Sequence, residues 1–164
     1  MQAGFQDWIT NEEVIVEKKD VEKITLDKFS YLEKQMGLSR PKISRETWKT
    51  RISYLGKETG FDIELDWREL DVFVLLVRLE EGKLPKGYYV SQGRKCRLII
   101  EQVLKDRFHV SLDEMNKINQ SIKKSKKRSV DIMVKRLDEY QNLLFNYSQT
   151  LLSYGTRIFE TTSF

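Results

Sequence analysis

Residues 66–82 read Asp-Trp-Arg-Glu-Leu-Asp-Val-Phe-Val-Leu-Leu-Val-Arg-Leu-Glu-Glu-Gly. Two signals in this stretch point to a helix. Asp66-Trp67-Arg68-Glu69 has the spacing of a capping box, in which the first and last side chains satisfy each other's backbone N–H groups. Trp67, Leu70, Phe73, Val74 and Val77 then follow at helical spacing. Val72, Leu75, Leu76 and Leu79 fill the remaining sides, and a helix that is apolar nearly all round is a buried one. The stretch therefore predicts a central core helix over 67–81, stopped by Gly82 and Pro85. On this reading the chain is mainly α, with at most one or two short strands.

The flanks extend the same picture. Upstream, Phe61, Ile63 and Leu65 alternate with Asp62 and Glu64, as in a short half-buried strand or extended connector. Residues 11–18 alternate weakly, so 1–24 reads as an N-terminal arm or edge strand. From Thr25, a plausible N-cap, helical spacing sets in and Met36-Gly37 ends it. A second helix begins at Ser39 or Arg40, with Ser44 as a rival start, and carries Trp48, Ile52 and Leu55 on one stripe. Residues 25–110 thus form a helical core domain. Its last helix runs over roughly 92–108, capped by Ser91, with Cys96, Ile99, Ile100, Val103 and Leu104 on its apolar face. A second capping box, Ser111-Leu112-Asp113-Glu114, opens a C-terminal helical segment over 111–164.

That segment contains a heptad seam. Val130, Met133, Leu137, Tyr140, Leu144, Tyr147, Leu151, Tyr154 and Ile158 recur at strict alternating spacings of three and four. Tyrosine at most of the second positions favours antiparallel or intramolecular packing over a parallel zipper. The seam is either a homodimer contact, through Val130 to Tyr154, or the face that covers the chain's own core.

Composition narrows the chemistry. The 164 residues hold one cysteine and one histidine, which excludes a Cys/His zinc cluster and an internal disulfide. No cofactor is implied, and the chain does not read as an enzyme. Cys96 reads as buried rather than reactive, and His109 as a helix C-cap. Asp62, Glu64 and Asp66 share one face if their segment is a strand, and with Glu69 and Asp71 they are a minor candidate for a Mg²⁺-dependent nuclease. No segment has the length and apolarity of a signal peptide or membrane span, so the expected compartment is the cytoplasm.

The net charge of +4 conceals a block over residues 86–136 with 14 basic and 5 acidic side chains, and a second basic block over 25–60. Such blocks are either solvated helix faces or a footprint for a polyanion. Thr25 to Thr47, with Leu32, Met36-Gly37-Leu38-Ser39 and Ile43, resembles the helix-turn-helix segment of bacterial and phage DNA-binding regulators. The order of short extended segment, core helix and long C-terminal helix is loosely similar to winged-helix regulators of the MerR type. The resemblance implies a dimeric regulator or plasmid or phage maintenance factor on double-stranded DNA. Its second helix would read the major groove through Ser39, Arg40, Lys42, Arg45 and Lys49. Phosphate contacts would come from Arg94, Lys95 and Arg97 and from the tract Lys123, Lys124, Lys126, Lys127 and Arg128. Tyr88 and Tyr89 read as core packing or as a base-stacking pair. The competing expectation is a helical adaptor that binds a protein partner through the seam, without nucleic acid.

Overall fold

The computed structural model describes residues 11–111, 113 and 129–160, with 11–16 as backbone alone. Helix α1 (Asn11–Lys28) and a short α2 (Ser30–Lys34) precede four consecutive strands. These are β1 (Lys42–Arg45), β2 (Lys49–Leu55), β3 (Thr59–Asp66) and β4 (Asp71–Arg78). A small hairpin, β5 (Val90–Ser91) with β6 (Arg94–Lys95), leads into β7 (Arg97–Ile99). Helix α3 (Ile100–Phe108), the long α4 (Val130–Tyr154) and α5 (Arg157–Glu160) complete the order. The main sheet is antiparallel throughout, in the order β1-β2-β3-β4-β7.

The expectation of a mainly α chain is therefore overturned. The helix expected over 67–81 is a tight turn followed by β4. Asp66 Oδ1 accepts from the N–H groups of Arg68 and Glu69, both at 3.0 Å. The cap is real, but it closes a β3–β4 hairpin whose Leu70 sits at a φ of 51°. Residues 72–79, Arg78 apart, are apolar on both sides because β4 is an inner strand: Val72, Val74 and Leu76 face the helix-covered core, and on the other side Leu75 and Val77 are buried while Phe73 is part-exposed. Periodicity cannot separate such a strand from a buried helix, whereas its three valines and one phenylalanine favour the strand.

The expected second helix is also absent. Residues 42–45 and 49–55 are strands, so Ser39 to Arg51 presents no recognition helix. Ile43 pairs with Ile52, and Ile52 with Ile63, on the core face. Trp48 is exposed and Leu55 joins a separate small cluster with Val77 and Leu79, so the helical stripe dissolves into a period of two. Ser39 is structural: its N–H donates to Leu55 O at 2.8 Å, and its Oγ accepts from Leu55 N–H at 3.0 Å. The Gly37 turn is as expected, with a φ of 76°. Residues 11–28 are helical rather than an edge strand, and Thr25 lies within α1, its hydroxyl donating to Val21 O at 2.7 Å. The helix expected over 92–108 starts only at Ile100, because Gln92 and Gly93 both take positive φ in the β5–β6 hairpin. Glu81-Gly82 makes a similar turn.

The seam forms a helix, α4, from Val130 to Tyr154, with Ser129 Oγ accepting from Ile132 N–H at 3.2 Å as its N-cap; its last expected position, Ile158, falls beyond Gly155 in α5. Met133, Leu137, Tyr140, Leu144 and Leu151 are fully buried among core residues of the sheet and of α1 to α3, with Val130 and Tyr147 packed at the border. Ile132, Arg136, Leu143 and Ser148 are buried too. That wider face belongs to a helix laid over a core rather than to a narrow coiled-coil stripe. Tyr154 is half-exposed and stacks edge-on against Phe108 at 5.0 Å.

A buried polar chain crosses this layer. Arg136 pairs with Asp71 at 2.8 Å and donates to Val72 O and to the Tyr140 hydroxyl. Tyr140 in turn donates to Glu101 Oε2 at 3.0 Å, while Oε1 is buried without a partner. Burial pushes the Glu101 carboxyl above its ordinary value of 4.5, and the Tyr140 bond and Arg136 only partly reverse this. The folded chain then holds that proton more tightly than the unfolded one. Its contribution to stability is full below the ordinary carboxyl value and is lost as pH rises through the folded value. Glu101→Gln is expected to flatten this dependence, measured by urea unfolding at mildly acidic and neutral pH. An unchanged pH profile would refute it.

Candidate binding site on the open face of the sheet

The face of the sheet turned away from the helices carries the site. Alternation along β2 and β3 sends Thr50, Ile52 and Tyr54 to the core and Arg51 and Ser53 to the other side, with Asp62 and Glu64 opposite them. The connection from β4 to β7, residues 79–96, folds over part of this face as a roof. Underneath it lies a closed ion-pair network. Asp62 is fully buried and accepts from Arg97 Nε at 2.7 Å and from Ser53 Oγ at 2.6 Å. Glu64 is held by Arg51 Nε at 3.0 Å, Lys49 Nζ at 3.5 Å and the Tyr88 hydroxyl at 2.6 Å.

Tyr88 pins the roof to the sheet. Its ring has Lys49, Arg51 and Arg97 at 5.0, 5.4 and 5.1 Å from the centroid, an arrangement in which the cations meet the negative ring face. Arg97 Nη1 donates to the carbonyls of Gly87 and Tyr88, both at 2.9 Å. Burial, with the bond to Glu64, keeps the Tyr88 hydroxyl protonated far above the ordinary phenol range. Cys96 is buried, and its thiol donates to Tyr88 O at 2.9 Å. Burial pushes that thiol up, with Arg97 and Arg78 pulling the other way, so it is a packed thiol rather than a nucleophile.

The roof makes close approaches that only glycine allows at position 87. A Cβ there would collide with Val90 O and lie 2.8 Å from Val90 C and 3.2 Å from Ser91 Cα. Gly87→Ala is expected to cost about 1–3 kcal/mol as an overpacked backbone shifts. A urea midpoint equal to wild type would show that the roof yields freely.

Beyond Tyr88 the face is apolar and open. Phe73, Tyr89, Val90 and Ile99 are 39%, 52%, 57% and 42% exposed. They border two clefts of about 400 and 310 Å³ that share Tyr89 and Ile99. The larger runs between the β5–β6 hairpin and α3 and is lined by Lys95, Arg97, Gln102 and Val103 as well, with no acidic side chain. The smaller adds Leu75, Lys49, Glu64, Asp66 and Tyr88. β7 lies at the edge of the sheet, hydrogen-bonded to β4 on one side.

The candidate residues named from the sequence are scattered by this fold. Arg97 and Lys49 are drawn into the ion-pair network rather than displayed on a helix. Arg45 pairs with Glu22 at 3.0 Å on the helix side of the sheet. Arg40, Lys42, Arg94 and Lys95 are exposed, the last two on the hairpin. Lys123, Lys124, Lys126, Lys127 and Arg128 lie outside the described residues, as do Leu112 and Glu114 of the second capping box. Asp62 and Glu64 do share one face, but cations and hydroxyls hold them. Among the described residues no group of three or more His, Cys, Asp or Glu is placed to hold a metal ion. His109 caps α3 in the left-handed conformation, its N–H donating to Leu104 O.

Sequence reading missed Phe73, Tyr89, Val90 and Ile99 as a surface. The β-branched and aromatic content of β4 and the Gln92-Gly93 turn were the signals that place them there. No protein-family model, curated protein or solved structure matches the chain. No described helix is long and apolar enough to cross a membrane.

Proposed function

We propose that this chain is a non-catalytic binding module that docks a segment of a partner protein on the open face of its sheet, beside the β7 edge. The observation that carries the reading is the concentration of four half-exposed apolar side chains around two joined clefts. Apolar surface gathered in this way, rimmed by polar groups, is typical of an interaction site. An edge strand offers backbone groups to an added strand, and flanking clefts then select its side chains. Lys95, exposed at the rim of the larger cleft, which no acidic side chain lines, favours a segment with apolar anchors and an acidic flank. Seam residues serve the core, so a partner on this face replaces the helical adaptor surface expected from the sequence.

The test is selection of displayed peptides on the full chain. Peptides enriched by wild type are expected to bind Ile99→Asp about thirtyfold more weakly, the loss of about 2 kcal/mol associated with one central anchor. Phe145→Ser, on the helix side, removes a more exposed apolar side chain and should leave binding unchanged. Peptides that bind both variants equally would overturn the proposal. So would salt-sensitive duplex-DNA binding that Ile99→Asp leaves intact, since that is the behaviour of the DNA-binding regulator the sequence suggests.

A further inference from the structure

A third cleft, of about 450 Å³, opens on the other side of the roof, where β4 ends. Its floor is Arg78, the last residue of β4 and only 5% exposed. Arg78 Nε is buried and has no hydrogen-bond partner among the described residues. Leaving a guanidinium in this state is costly, because a buried charge needs a counter-charge and bonds to its donors. The walls repeat the signal: Lys83, Lys86 and Arg94 also line the cleft, against Glu80 and Glu81. Four cations and two carboxylates leave an excess of two positive charges. Glu80 has the complementary defect, since its Oε1 is buried with no donor.

We infer that this cleft is a binding site for a phosphate monoester carried on a hydroxylated skeleton, such as a sugar phosphate. A phosphate group brings about −1.5 to −2 charges and several acceptor oxygens at neutral pH, matching the excess and the unpaired Arg78. A carboxylate would balance only half of it. A hydroxyl next to the phosphate supplies the donor that Glu80 Oε1 lacks. The cleft lies within the roughly 300–1,000 Å³ range of small-molecule sites, so it has room for more than the phosphate itself. The same chemistry occurs in a free sugar phosphate and at a phosphorylated end of a nucleic acid. The site is separate from the apolar face, and the inference does not depend on the partner proposed there.

The experiment is thermal unfolding of the full chain with inorganic phosphate, ribose, a ribose phosphate, and an oligonucleotide with and without a terminal phosphate. The ribose phosphate is expected to raise the midpoint more than inorganic phosphate does, and ribose to leave it unchanged. Arg78→Met is expected to raise the ligand-free midpoint, because it removes an unpaired buried charge, and to abolish the phosphate response. A purely structural arginine would do the opposite on the first count. The double variant Lys83→Ala, Arg94→Ala changes only wall residues and should weaken the ribose phosphate about tenfold or more, the loss expected for charge-assisted bonds. A response only to the phosphorylated oligonucleotide assigns the ligand to a nucleic-acid end; a response to the ribose phosphate assigns it to a free metabolite. No shift with any phosphorylated probe, or a shift retained in Arg78→Met, overturns the site.

Discussion

Asp62→Ala is expected to lower the unfolding free energy by about 3–5 kcal/mol, the usual cost of breaking a buried ion pair from one side. The carboxylate and the Arg97 side chain are 0% and 2% exposed, so water cannot replace the lost partner. Arg97 would keep its two bonds to roof carbonyls but lose its charge compensation, and Ser53 would lose its acceptor. Arg51, whose Nε lies 3.7 Å from Asp62 and 3.0 Å from Glu64, keeps its closer partner. The companion variant Asp62→Ala, Arg97→Met should recover much of the loss, because apolar groups of similar volume can replace such a pair at little cost. Urea unfolding of the two variants measures both effects. If the single variant lost less than about 1 kcal/mol, the pair would behave as a solvent-exposed one, and the roof would have to be held by other contacts.

The second large effect concerns the seam. Leu144→Ala is expected to cost about 2–5 kcal/mol through the lost transfer of its side chain and the cavity left behind. Leu144 is fully buried in the main core, so the loss should be independent of protein concentration. A dimer held by this residue would instead unfold at a midpoint that rises with concentration, since association and folding would be linked. Denaturation at protein concentrations a hundredfold apart separates the two outcomes. Sedimentation of the folded variant adds a second readout, because a seam internal to the chain leaves its mass unchanged when cut back.

The seam and the roofed carboxylates show what the sequence made legible. Val130 to Tyr154 kept one period over seven steps, long enough to specify a helix, while the break at Gly155 before Ile158 and the identity of the surface beneath it were not legible. Asp62 and Glu64 were placed on one face of a strand by simple alternation, which the sheet bears out. What alternation could not supply was burial from the far side: β3 lies between β2 and β4 and is no edge, and its carboxylates face Arg51 and Arg97 from distant positions. Asp66 shows why the fold class went astray. Its side chain takes the same two N–H groups whether a helix or a hairpin follows. The six consecutive apolar residues 72–77 behind such a cap satisfy either geometry, and only the sheet partners on both sides decide between them. The roof was hidden for another reason, since Ser91 and the basic residues after it look like a helix start unless Gln92-Gly93 is read as a turn.

The order of strands also bears on how the chain is made. β1 to β4 pair each with the next through short turns, so this part of the sheet can close on local contacts while synthesis continues, and such contacts form early. The helix that seals the inner face comes last. At a translation rate of about 5–20 residues per second, the interval between completion of β4 and emergence of α4 is on the order of ten seconds. During that interval Ile52, Ile63 and Val74 have the sheet beside them and only α1 and α2 to cover them. The nascent chain therefore carries a half-covered hydrophobic plate until α4 emerges, and aggregation is the hazard of that stage.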